Sequence, residues 1–258
     1  MIEEPYRWVE AVSNRRDYIE TQLASGSPIV ALSFRDGILF LTVGRTRQKL
    51  FEIYDRIAMG AIGHPGDIER LRMTAIELAS TEGFTRSAAD VSLRRLAYYS
   101  LSPMLKSAFE QIFGAPLLAR MLFAEIGEKP ESDLFLRIEY DGAIATNGAP
   151  LAEARQDFAV LSGTRVSSEL METHLKNEHE ASATLARAMK TALQAWATGR
   201  MALGDDGARE LPTKDALTQE VQKQVRAGVV EAAILERSDK IAIRYRSATD
   251  DEIKAATA

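Results

Sequence analysis

Residues 47–84 read RQKLFEIYDRIAMGAIGHPGDIERLRMTAIELASTEGF. Two short runs rich in branched apolar residues, RQKLFEI and RIAMGAIG, flank Tyr54-Asp55 and read as strands around a tight turn. From Asp67 to Thr81 the spacing changes. Ile68, Leu71, Ala75, Ile76 and Ala79 then fall on one face of a 3.6-residue period, which predicts an amphipathic helix. Strands joined this tightly pair antiparallel, with the helices that follow them expected on the outside of the sheet.

The flanks extend the pattern. In ASGSPIVALSFRDGILF (24–40) the runs PIVALSF and GILFLTV are separated by Arg35-Asp36-Gly37, and Asp-Gly between apolar runs signals a hairpin. Before it, Val9, Val12, Ile19 and Leu23, with Arg16 in the same stripe, predict a helix over 6–24. Pro5 sits in its first turn and Gly26 is its stop. After residue 84, Ser87-Ala88-Ala89-Asp90 is of the capping-box type and opens a long helix to about Ile112. Its core face is Val91, Leu96, Leu101, Leu105, Phe109 and Ile112, with Pro103 expected to kink it. PLLARMLFAEIG, DLFLRIEYDGAIAT and DFAVLSG read as strands, Ser167–Lys176 and Ala181–Gly199 as helices, 201–212 as a polar loop, and Val229–Leu235 with Ile241–Tyr245 as a final strand pair. Strands, two helices, strands, two helices and strands predict a layered α+β domain over 6–245, with sheets stacked between helix pairs. Residues 1–5 are expected to be flexible, and 246–258 to be a frayed polar tail.

Composition narrows the function classes. The 258 residues are 46% apolar and 27% charged, with a net charge of −5 and no cysteine. No positive field favours nucleic acid or anionic membrane. Disulfides, thiolate metal sites and cysteine nucleophiles are excluded together. The acidic start lacks the apolar core of a signal peptide, so a cytoplasmic location is expected. His174 and His179 are five apart and point to different helix faces, His64 precedes a proline, and Asp205-Asp206-Gly207 lacks a calcium ladder, so no metal is expected. No Gly-rich phosphate loop is present, and no cofactor is expected.

The stretch 47–84 resembles the corresponding stretch of α-type proteasome subunits, especially bacterial ones: a lysine, I-x-x-I-Y-D-R, a small-residue strand, then a helix with N-L-R-R and G-Y. DYIETQLASGS is similar to the family's E-Y-A-x-x-A-V-x-x-G-S, RDGILF to its first hairpin, and RIEYDGAI to Y-R-I-x-x-D-G-S-I. The similarity runs from about Asp17 to Phe158, weakens to Leu235, and departs at 1–16, 177–226 and the tail. The resemblance implies a four-layer αββα sandwich of the N-terminal-nucleophile hydrolase type, with an extra N-terminal helix. It also implies a homo-heptameric ring on rings of catalytic β-type subunits. A ring-shaped AAA ATPase would feed unfolded protein through that ring, and the α subunit itself would cut nothing.

On this reading Gly26-Ser27 stands where catalytic relatives release a nucleophile. Ser27 is the one weak catalytic candidate, as a self-processing peptidase. Against it, Pro28 stiffens the junction, and Val43 stands where those relatives carry an aspartate. Lys49 matches the lysine of the pocket that takes the ATPase tail's terminal carboxylate, a contact strengthened by full charge; alone it reads as a strand-edge lysine. Tyr54, Asp55 and Arg56 are either an exposed turn or ring contacts. Glu3, Glu4, Pro5 and Tyr6 occupy the place of the gate. Phe113, Gly114, Ala115 and Pro116 are either an inner constriction or an ordinary turn.

Overall fold

The computed structural model describes residues 5–45, 48–111, 113–146, 157–203, 210–238 and 243–257. Helix α1 (Pro5–Leu23) leads into the hairpin β1 (Ile29–Phe34) and β2 (Gly37–Gly44), then the hairpin β3 (Leu50–Tyr54) and β4 (Ile57–Gly63). Helices α2 (Pro65–Thr85), α3 (Leu93–Leu96) and α4 (Ser102–Glu110) follow, then β5 (Ala119–Glu125), β6 (Leu134–Ile138), β7 (Ile144–Thr146) and β8 (Phe158–Leu161). Three helices, α5 (Arg165–Glu178), α6 (Leu185–Ala202) and α7 (Lys214–Ala227), precede β9 (Val229–Glu236), β10 (Tyr245–Ser247) and α8 (Asp250–Thr257).

The strands form two antiparallel sheets, ordered β10-β9-β2-β1-β8 and β3-β4-β5-β6-β7. β1 shows why they stack. Ile29 and Ala31 pack between the sheets with Phe40, Leu122 and Phe135. Val30, Leu32 and Phe34 join the opposite cluster with Met189, Leu193 and Trp196 of α6. On the second sheet, Met59, Met121, Phe123 and Leu136 face Leu71, Ala75, Leu101 and Leu105. Each sheet is therefore covered on both sides, which is why its strands read as unbroken apolar runs rather than an alternation. The order helix, sheet, sheet, helix is the expected four-layer sandwich.

Helix α1 docks through Ile19 and Leu23 against Phe109 and Tyr140. Full burial of such side chains contributes roughly 1.5–3 kcal/mol each. The stripe does not bury along its whole length: Val9 is 67% exposed. A charged cluster fixes the buried end. Arg120 of β5 donates to Glu20 at 2.5 Å and Glu139 at 2.6 Å, and to the carbonyls of Ser162 and Gly163. Arg120 is only 8% exposed, so these bonds offset the cost of burying its charge. At the β1–β2 turn, Asp133, 1% exposed, accepts from Arg237 at 2.7 and 2.8 Å, Ser33 at 2.6 Å and the Gly127 amide at 2.9 Å.

Five expectations need correction. Ser87 opens only a single 3-10 turn, Ala88–Asp90, and the N-cap of the helix is Ser92, which accepts from the Arg95 amide. Pro103 does not kink one long α-helix. A π turn at Ala97–Leu101, closed by the Ser102 amide on the Ala97 carbonyl, widens the helix just before Pro103, in the first turn of α4. The second helix group has a third member, α7, capped by Thr213 accepting from the Ala216 amide and anchored by buried Leu217. The polar tail is ordered: β10 ends at Ser247, and α8 opens with a true capping box. The Glu252 carboxylate accepts from the Thr249 amide at 2.8 Å, and the Thr249 hydroxyl accepts from the Glu252 amide at 3.3 Å. Arg246 holds the same carboxylate at 2.8 and 2.9 Å, lowering its pKa to about 2. Ile253 and Ala256 then pack into the α6 cluster. The expected strand at Ile241–Tyr245 becomes β10 at Tyr245–Ser247; Ile241 lies outside the described residues, as do Ile112 and Asp205-Asp206-Gly207.

Candidate functional site

At the end of the sandwich away from the β1–β2 turn, a cleft of about 800 Å³ opens between the start of β1, the end of β2 and the start of β3. That volume lies within the roughly 300–1,000 Å³ of pockets that bury a ligand. Ser27, Val43, Lys49 and Ile62 line it together with Trp196 of α6. The structure thus brings Ser27, Val43 and Lys49, far apart in the chain, into one site.

Gly26 sits where α1 ends, its amide on the Leu23 carbonyl at 2.8 Å. Its φ is not positive, so it is not a left-handed cap. A Cβ there would lie 3.0 Å from the Leu23 oxygen and 3.1 Å from the Ile62 side chain, so glycine serves a close approach. Ser27 comes next and its hydroxyl is committed. It donates to the Val43 carbonyl at 2.8 Å and accepts from the Trp196 indole at 3.3 Å. Attack by this oxygen requires breaking the first bond. Val43 itself, 5% exposed, packs into the α6 cluster and offers no charge.

Lys49 reaches across the cleft, its ammonium donating to the Ser27 carbonyl at 3.4 Å. Its backbone is held by Glu231 of β9, whose carboxylate accepts from the Lys49 amide at 3.0 Å and the Leu50 amide at 2.9 Å. Burial pulls the Lys49 pKa below the ordinary lysine value, and the Glu231 charge pushes it back up. Burial likewise raises the Glu231 pKa, opposed by the two amides and by Lys49. Gln48 donates to the outward carbonyl of Leu50 at 2.9 Å. With Glu231 on the amide, the edge of β3 is closed to a further strand at this residue.

The other sequence candidates lie elsewhere. Tyr54, Asp55 and Arg56 form the β3–β4 turn, at the far end of β3 from Lys49. Their side chains are engaged within the chain. The Tyr54 hydroxyl packs where a Cβ on Gly83 would approach to 2.1 Å, Asp55 pairs with Arg244 at 3.6 Å, and Arg56 donates to the carbonyls of Ala89 and Val91. Phe113 to Pro116 follow α4, where Arg15 of α1 donates to the Gly114 carbonyl at 2.9 Å and leaves Phe113 97% exposed. Glu3 and Glu4 lie outside the described residues, and Pro5 and Tyr6 begin α1. Among the described residues no cluster of histidines and carboxylates could hold a metal, and no helix is long and apolar enough to cross a membrane.

Sequence reading missed Glu231, Trp196, Arg45 and Arg200 as cleft residues. Glu231 carried a signal, an acid inside the apolar strand VVEAAILE. Trp196 was visible as the larger group on an apolar helix face; the two arginines carried none.

Two antiparallel sheets between helix layers, an added N-terminal helix and a cleft at the start of the first strand define the N-terminal-nucleophile hydrolase fold in its α-type form. No protein-family model matches the chain. Its relatives include three proteasome subunits alpha. That of Streptomyces avermitilis is 33% identical over 190 residues, covering 72% of this chain and 69% of the relative. That of Kineococcus radiotolerans is 30% identical over 210 residues, covering 78% and 77%, and that of Actinosynnema mirum 30% over 230, covering 88% and 77%. The chain belongs to the proteasome α-subunit family.

Proposed function

We propose that this subunit is a non-catalytic member of a homo-heptameric α ring stacked on catalytic β-type subunits, gating access to the chamber and docking a ring-shaped AAA ATPase through Lys49. The single observation that carries the reading is the state of the cleft. Its hydroxyl is bonded away from attack, no carboxylate stands at Val43, and its lysine faces the same cleft. A chain-end carboxylate is the group such a lysine suits, by charge-assisted bonding. The ring works in the cytoplasm on unfolded protein. Glu3, Glu4, Pro5 and Tyr6 serve as its gate, and Phe113 to Pro116 as an inner collar, in keeping with the exposed Phe113 ring. Ring contacts at Tyr54, Asp55 and Arg56 form around side chains already braced internally.

The test is Lys49→Ala, assembled with β-type subunits and the ATPase. Assembly is unchanged and ATPase-stimulated degradation falls roughly 10- to 100-fold, the worth of one hydrogen bond to a charged group. Undiminished stimulation removes the docking role. The rival reading, self-processing at Ser27, predicts an intact mass lacking residues 1–26.

A further inference from the structure

Among the described residues the charges around the cleft do not balance, and the imbalance says more about its occupant. Arg45, just after β2, and Arg200, in the last turn of α6, line the same cleft as Lys49, and both are exposed. Glu69 is the acid on that lining, and it is already committed: Arg72 donates to it at 2.6 and 2.8 Å. Glu231, behind the wall, is held by two backbone amides and offsets Lys49. Among the described residues, neither Arg45 nor Arg200 has an acidic partner. The helix ends do not explain them as a pair. Arg200 answers the negative C-terminus of α6, but Arg45 belongs to no helix. Val43, Phe51, Ile62, Ile68 and Leu203 give the same cleft apolar lining.

We infer that the cleft takes a peptide C-terminus bearing a second negative charge. Its terminal carboxylate lies on Lys49, and an acidic side chain among its last few residues lies on Arg45 and Arg200. The inference rests on the Lys49 docking role and adds a specificity that role does not require. One cation suffices for a neutral tail, whereas a cleft with two further unbalanced arginines repels cationic tails and favours acidic ones.

The experiment uses the full-length chain and three fluorescent octapeptides: one ending Glu-Leu-Leu with a free carboxylate, the same peptide with Gln replacing Glu, and the Glu peptide as a C-terminal amide. The Glu peptide binds roughly three- to fivefold more tightly than the Gln peptide in low salt, the scale of exposed charge pairs, and the gap closes at about 0.5 M salt. Arg45→Ala with Arg200→Ala abolishes the Glu-over-Gln preference while keeping the carboxylate-over-amide preference. Equal binding of the Glu and Gln peptides, with the amide still weaker, overturns the acidic subsite alone. Equal binding of acid and amide, or no binding of any peptide, overturns the Lys49 reading and this inference with it.

Discussion

Two ionic sites lie at opposite ends of β1 and β2, and they have opposite characters. At the β1–β2 turn, Asp133 is 1% exposed and its carboxylate is filled by Arg237, Ser33 and the Gly127 amide. At the other end, Lys49 faces a cleft of about 800 Å³ with one long bond, at 3.4 Å, to the Ser27 carbonyl. The first site has no capacity left, and its geometry ties the β1–β2 turn to the chain ahead of β6. The second keeps its charge in reach of something else. A buried charge with every lone pair used is part of the framework, and one left with room is available for recognition.

Substitution separates the two most sharply. Asp133→Ala strands the Arg237 charge in the interior and costs about 3–5 kcal/mol in urea unfolding, whereas Lys49→Met changes stability by less than about 1 kcal/mol. Comparable losses at both sites erase the distinction. A neutral half-buried group provides the next contrast. His179 packs edge-on against Phe158 and burial lowers its pKa to about 4. A folded-state value below the unfolded one favours folding while the ring is neutral. That stability is complete above about pH 6.5 and drains away as pH falls toward 4, by on the order of 2–3 kcal/mol. His174, lowered in the same direction by burial, adds to the trend. Unfolding midpoints across this range are expected to flatten in His179→Leu, and an unchanged slope there rejects the assignment.

Glu231→Gln probes the cleft itself. Losing the carboxylate behind the Lys49 and Leu50 amides costs about 1–2 kcal/mol. It also removes the charge that raises the Lys49 pKa, so carboxylate-peptide binding fails at lower alkaline pH than in the parent. A shift to higher pH contradicts the placement of these charges. The most local effect is expected at Thr249→Ala, which loses the cap of α8 and about 1 kcal/mol, readable as faster amide exchange confined to 250–257.

Much of the fold was legible because its strands are buried on both faces and its turns carry their own chemistry. The run from Leu50 to Thr85 is strand, turn, strand and helix in both readings, with boundaries moved by a few residues. The errors have local causes. Thr249 to Glu252 is a plain capping box, but its acidic composition reads as a solvated tail. α7 shows a Thr213 cap and Leu217 with Val221, yet so much charge surrounds them that its narrow apolar stripe goes unassigned. Pro103 signals a disturbance without saying that a π turn absorbs it. In the cleft, Ser27 and Lys49 were nameable from the chain alone. Glu231 stood out only as an acid in an apolar strand, and its partners, 181 and 182 residues away, were not nameable from it.

The bonds on Ser27 also bear on evolutionary reach. Threonine at position 27 alone inherits the Val43 carbonyl as a partner for its hydroxyl. Aspartate at position 43 alone puts a carboxylate at a 5% exposed position in the apolar cluster that holds Trp196 and Leu217, where burial opposes its charge. One substitution at either position therefore leaves the other feature of the cleft, the bonded hydroxyl or the buried valine, in place.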